Sequence, residues 1–272
     1  MKVAKPFVAL RADARNMIAR WLHPCRLGLR PDRIGSGQIG SGQIGSDRVG
    51  SETQPTLVAA GPCLRKAAAL LLLTVAGCAE PGDADWFRAA VRDAEAGLTD
   101  TVDVEDRRNI GDSDVAALEG VPLWRLRLDQ TGVTDAGMES VAKIPDLEVL
   151  SLSGTRVGDR GLGHLKQAQT LRHLTLDAMP ITDAGLAHLK ELPRLQALSL
   201  WKGFITDAGC RHLGQMSGLI LLSLDETQVT DAGLRELYKL KNLRRISLWN
   251  TQVTDRGVAN LQKALPDLEI NR

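Results

Sequence analysis

The 272 residues carry 34 Lys and Arg against 33 Asp and Glu, with 43% hydrophobic and only 3% aromatic side chains. A sizeable core is therefore available but must be aliphatic, and the near-neutral balance hides an asymmetry: residues 1–77 hold 11 basic and 4 acidic side chains, residues 78–272 hold 23 and 29. The acidic remainder argues against a nucleic-acid groove, which needs a basic stripe. Cys25, Cys63, Cys78 and Cys210 form neither a C-x-x-C pair nor a disulfide framework.

Residues 1–57 are Arg-rich at first and then run IGSGQ, IGSGQ, IGSDR, VGSE up to Glu52. Gly and Ser at that density bury too little surface to offset chain entropy, so the stretch predicts a linker or a disordered segment. Two readings stay open: an arm that touches nucleic acid or membrane, or upstream sequence translated from a start placed too early. Residues 58–77 favour the second. Leu64-Arg65-Lys66 is a short basic opening, Ala67 to Val75 is an apolar run too short to span a bilayer, and small residues follow. That order predicts a secretory signal.

Val75-Ala76-Gly77-Cys78 resembles the lipobox of bacterial lipoproteins. The resemblance implies that Cys78 receives a thioether-linked diacylglycerol, is freed by cleavage before it, and is then N-acylated, commonly with palmitate. It further implies a membrane-anchored protein of the cell envelope. The departure from that pattern is position, since 63 residues precede Leu64; a true start near Val58 or Leu64 would remove it.

Residues 78–98 predict a polar tether and then an end-capping helix. From Trp86 to Leu98 the apolar residues Trp86, Ala89, Ala90, Ala94 and Leu98 keep helical spacing, with Asp83 and Asp85 at the positive helix end. Residues 99–272 are a tandem array. Val102, Val104, Ile110 and Asp112 open a degenerate first unit; six full units follow from Leu123, with openings 24 residues apart at Leu147, Leu171, Leu195, Leu219 and Leu243. Leu268-Glu-Ile270 predicts a last strand.

Each unit reads L-x-x-L-x-L, about two residues, usually Thr, then x-V/I-T-D-x-G-L-x-x-L. The L-x-L stretch alternates and predicts a short strand with its leucines inward; the rest predicts a helix. Thr-Asp marks the helix start in five units, as N-cap and first-turn acid, and Gly158-Asp159 replaces it in the second. The glycines at 137, 161, 185, 209, 233 and 257 predict a close approach of helix to strand layer. Cys210 stands in a leucine column and predicts a buried small hydrophobe.

Residues 99–272 resemble the leucine-rich repeat family. The V/I-T-D-x-G-L signature is similar to repeats of many bacterial members and of the F-box substrate receptors, although Thr131, Thr155, Thr227 and Thr251 stand where many members carry Asn or Cys. No F-box module precedes the array. The resemblance implies an α/β fold: a right-handed solenoid, short parallel strands on the concave face and helices on the convex face. It also implies non-catalytic protein binding.

His164, His188 and His212 share a column, but helices ~8–10 Å apart cannot bring them to a metal ~2 Å away. The recurring Asp suits capping better than calcium. No P-loop, nucleophile elbow or paired carboxylate spacing appears, so neither an enzyme, a cofactor nor a metal is expected. The residue between the paired leucines reads Arg127, Ser151, Thr175, Ser199, Ser223, Ser247, a small polar column that predicts an open hollow. Trp201, Leu221, Asp225, Arg245 and Trp249 cluster beside it and form the candidate partner-binding set, because Trp and Arg so often dominate interfaces. Two alternatives stay open: both Trp side chains fold over the sheet edge and shield leucines, or they are stacking platforms for glycan in a self-associating envelope component.

Overall fold

The computed structural model describes residues 83–272. Helix α1 (Asp83–Glu95) leads into an eight-stranded parallel sheet in strict chain order, β1 (Thr101–Glu105), β2 (Arg125–Asp129), β3 (Val149–Ser151), β4 (His173–Thr175), β5 (Ala197–Ser199), β6 (Leu221–Ser223), β7 (Arg245–Ser247) and β8 (Glu269–Asn271). Between them lie α2 (Asp112–Val115), α3 (Gly137–Ala142), α4 (Asp159–His164), α5 (Asp183–Leu189), α6 (Asp207–Leu213), α7 (Asp231–Glu236) and α8 (Asp255–Ala264). Every strand pairs with the next at a sequence offset of 24, so Leu126, Leu150, Leu174, Leu198, Leu222 and Ile246 stack in register. The sheet is open, and strands alternate with helices that bring their own apolar column down on it. This is the leucine-rich repeat solenoid.

Both inward columns are sealed. Leu126 and Leu128, Leu150 and Leu152, Leu222 and Leu224 have no exposed surface, and neither do Val141, Leu165, Leu189, Leu213, Leu237 and Leu261 from the helices. Each fully buried leucine contributes about 1.5–3 kcal/mol relative to exposure. No single centre exists, so these contributions add along the array.

The degenerate first unit is one residue out of step from its helix start to Val121. Strand β1 keeps the 24-residue offset, Val102 against Leu126, but Asp112 precedes its counterpart Asp135 by one residue fewer. The last strand, expected at Leu268-Glu-Ile270, runs over Glu269–Asn271 and keeps the 24-residue register, Ile246 against Ile270.

Helix α1 packs on β1 through Phe87, Val91 and Ala94, three residues buried on one helical face. It starts three residues before the expected Trp86 and stops where Gly97 takes φ +68°, which leaves Leu98 77% exposed. Trp86 packs partly against the core and lies under the Arg107 guanidinium, 4.7 Å from its ring centroid. Cys78 and all of residues 1–82 lie outside the described residues.

The Thr-Asp pair does more than start a helix. The Thr hydroxyl accepts the N–H two residues on, at 3.3 Å for Thr182 and 3.2 Å for Thr206 and Thr230. The Asp carboxylate, however, reaches forward to the following unit: Asp183 accepts both the N–H (2.9 Å) and the hydroxyl (2.6 Å) of Thr206. Asp207 does the same for Thr230 and Asp231 for Thr254. The Asp is therefore a link between units more than a partner of its own helix. The glycine column is corrected on the same ground. A Cβ at Gly185, Gly209 or Gly233 would strike the carboxylate of the preceding unit's Asp, so it is this carboxylate that needs the room.

One residue per full unit, two positions after the second inward leucine, adopts positive φ: Gln130, Gly154, Ala178, Lys202, Glu226 and Asn250, between +53° and +67°. In this conformation the backbone N–H of Ala178 reaches Trp201 O and that of Lys202 reaches Asp225 O, prolonging the sheet ladder past the strand ends.

Candidate binding surface

Because all strands are parallel, the residues that follow them line one long edge of the sheet. That position reads Asp129, Ser153, Asp177, Trp201, Asp225, Trp249, a carboxylate in every second unit. Each of these carboxylates serves the chain itself. Asp129 accepts the Ser151 hydroxyl and the Ser153 N–H, 2.5 and 2.9 Å away. Asp177 accepts the Ser199 hydroxyl (2.6 Å) and the Trp201 N–H (3.0 Å), and Asp225 the Ser223 hydroxyl (3.2 Å) and the Trp249 N–H (2.6 Å). Units thus couple in pairs, the carboxylate of one holding the backbone of the next.

The small polar column of the strand face takes part in this network. Ser151, Thr175, Ser199, Ser223 and Ser247 are all buried, at 4–8% exposure. They are small enough to sink between flanking columns, where the acids take up the hydroxyls of Ser151, Ser199 and Ser223. Burial pushes the Asp177 carboxyl up to about 6, against its two hydrogen bonds, with the negative charges of Asp129 and Asp225 adding to the rise. His173, on β4 nearby, is likewise desolvated, which lowers its pKa.

The five residues of the candidate set are placed differently. Leu221 is corrected: at 7% exposure it fills the face between Ala197 and Arg245 and offers a partner little surface. Asp225 is half-buried and occupied as described. Arg245 donates from Nε and Nη2 to Glu269, at 2.9 and 2.8 Å. Trp201 is half-buried; its indole N–H donates to Glu226 (3.1 Å) and the Lys202 ammonium lies 4.3 Å from its ring centroid. Trp249 alone among the five is wide open, at 53%.

Phe204 joins it, 59% exposed, on the loop that follows Trp201. Its column otherwise reads Gly132, Arg156, Pro180, Gln228 and Gln252, so an aromatic ring there was a visible signal that attention to the strand columns missed. The strand-end edge thus carries two exposed apolar side chains, Phe204 and Trp249.

Elsewhere, Cys210 is buried with no disulfide, and desolvation pushes its thiol up to about 12. Among the described residues no three His, Cys, Asp or Glu side chains are grouped to hold a metal ion. No helix among them is long and apolar enough to cross a membrane.

Comparison with known proteins agrees with the fold. The chain is similar to internalin C2 from Listeria monocytogenes str. 4b F2365, with 23% identity and a TM-score of 0.55, over 68% of this chain and 80% of that one. It also matches the plant peptide hormone receptor RGFR1, solved in complex with RGF2, at 17% identity and a TM-score of 0.41, over 62% of this chain and 27% of the receptor. No protein-family model matches the sequence, and no curated protein does.

Proposed function

We propose that the chain is a non-catalytic interaction scaffold, lipid-anchored through Cys78 in a bacterial cell envelope. It binds a protein partner along the strand-end edge, with Trp249 and Phe204 as apolar anchors and Arg245, at the start of the strand that leads to Trp249, on the adjoining sheet face. The observation that carries this reading is the exposure of Trp249 in an array that seals nearly every other large apolar side chain. Its backbone is fixed by Asp225, so an aromatic ring is presented on a rigid element, where little ordering entropy is lost on contact. Trp and Arg are also the residue types that most often dominate interface energy. Lipidation at Cys78 is supported by the signal and lipobox pattern, and two or three acyl chains hold where one does not, at ~0.8 kcal/mol per buried methylene.

The test is a comparison of captured proteins between the native chain and a Trp249→Ala, Phe204→Ala variant whose far-UV circular dichroism is unchanged. Loss of one identified protein supports the reading. Retention of every captured protein, with loss of glycan retention instead, rejects it in favour of a glycan-binding envelope component. Intact mass of the mature protein from its native host tests the anchor: the expected product begins at a diacylglyceryl Cys78.

A further inference from the structure

The two long edges of the solenoid carry opposite charge. The segments after the strands, residues 129–135, 153–159, 177–183, 201–207, 225–231 and 249–255, hold ten acidic and two basic side chains. The segments between helix and next strand lie at the opposite edge. From residue 165 on, over 165–172, 189–196, 213–220, 237–244 and 261–268, they hold eight basic side chains and only Glu191 and Asp267 against them. The earlier segment 141–148 does not share this bias, with Lys143 facing Asp146 and Glu148.

Most of the basic edge is free of ion pairs, although Lys241 and Arg244 each donate to a backbone carbonyl. Lys166, Lys190, Arg194, Lys241, Arg244 and Lys263 are exposed and have no ion-pair partner among the described residues. The opposite edge keeps its negative charges partly engaged in the Asp–Thr links. Taken whole, residues 78–272 carry 23 basic and 29 acidic side chains, so an average charge would predict repulsion from any anionic surface. Beyond a Debye length of ~8 Å that average is screened, and the edge nearest a surface decides.

We infer that this basic edge rests on an anionic lipid surface and so orients the solenoid, with the strand-end edge turned away toward a partner. The inference rests on the proposed anchor, which selects a membrane as the surface. Cys78 is five residues before Asp83, and five extended residues span at most ~17 Å, so an anchored array is held close to the headgroups. A lysine or arginine near such a surface contributes about a fivefold gain in binding. The edge is also nearly without aromatic side chains on which nucleic-acid bases would stack, Tyr238 excepted.

The test uses the full chain with Cys78→Ser, mixed with vesicles of phosphatidylglycerol and phosphatidylcholine in equal parts. Lys166→Glu with Lys190→Glu is expected to weaken cosedimentation at least about tenfold. Arg156→Glu with Lys202→Glu, the same charge change on the opposite edge, is expected to change it less than about twofold. Residues 1–77 are common to both variants and cancel. Pure phosphatidylcholine is expected to bind neither, and inorganic phosphate is expected not to compete, which separates a lipid surface from a single-phosphate site. Equal losses in the two variants, or no loss in the first, overturn the inference. So does displacement from vesicles by a duplex oligonucleotide at lower phosphate concentration than lipid. Cys78 is blocked throughout, so the result is independent of lipidation, which the intact mass reads separately.

Discussion

Thr182 gives Asp159 both of its donors, the backbone N–H at 2.9 Å and the hydroxyl at 2.6 Å, and so ties the start of one helix to the start of the next. The same carboxylate occupies the space that a side chain at Gly185 would need. Alanine is normally the better helix former by about 1 kcal/mol. Here Gly185→Ala is expected to destabilise by about 1–3 kcal/mol, because overpacking outweighs propensity. With Asp159→Ala in place the methyl has room, and the same change is expected to be neutral or stabilising. A double-mutant cycle by urea unfolding reads the difference. Additive effects would show that the carboxylate is not what excludes the side chain.

Ala178 sits at φ +53° in the turn after β4, exposed and with no side chain beyond Cβ to lose. A left-handed residue with a Cβ costs roughly 1–2 kcal/mol, and glycine offsets part of that through its larger unfolded-state entropy. Ala178→Gly is therefore expected to stabilise by about 0.5–1 kcal/mol. Glu226→Gly, at φ +55° in the same column, is expected not to, because Glu226 also accepts the Trp201 indole N–H. Urea midpoints of the two variants check the contrast.

The strands, the inward leucines and the helix starts were legible because each is written again in every unit, and only one alternation buries all copies at once. Repetition also hid the rest. The carboxylate of Asp183 lies beside its own helix and 23 residues before Thr206, and a recurring Thr-Asp column is consistent with either partner. The Asp177–Ser199 bond spans 22 residues and depends on the tilt of one side chain, which no spacing encodes. Leu221 read as an open-face anchor because alternation alone places it there; its neighbours Ala197 and Arg245 decide its burial. The Trp201–Glu226 pair needed the register of two loops 25 residues apart.

Asp177 makes stability depend on pH in an unusual direction. Its carboxyl titrates at about 6 when folded, against 3.8 ordinarily, so between these values the folded chain binds the extra proton. Stability is therefore highest below pH 4, falls as pH rises through 6, and is constant above, the whole loss being of order 2 kcal/mol allowing for its partial contact with solvent. Asp177→Asn keeps an oxygen to accept from Ser199 and Trp201 without the charge. The variant is expected to be at least as stable at pH 7.5 and to gain on the native chain from pH 4 to 6. Asp231, held below the usual range by its bonds from Thr254, is common to both proteins. A carboxyl carbon resonance that titrates near 4 would reject this account of Asp177.

The two tryptophans are expected to separate cleanly. Trp201 is half-buried, donates to Glu226 and carries Lys202 over its ring, so Trp201→Ala removes packing, one charge-assisted hydrogen bond and one cation–π contact. These together predict a loss of about 1–3 kcal/mol. Trp249 is 53% exposed, and Asp225 holds its backbone N–H, which alanine retains. Trp249→Ala is therefore expected to shift stability by less than about 0.5 kcal/mol. Urea unfolding of the two variants gives both numbers. A large loss at Trp249 would make its ring part of the scaffold, and any binding defect in that variant would then report misfolding and not a missing contact. A near-zero change leaves the ring with no structural task that outweighs its exposure, which is the condition under which its removal can be read as a test of recognition.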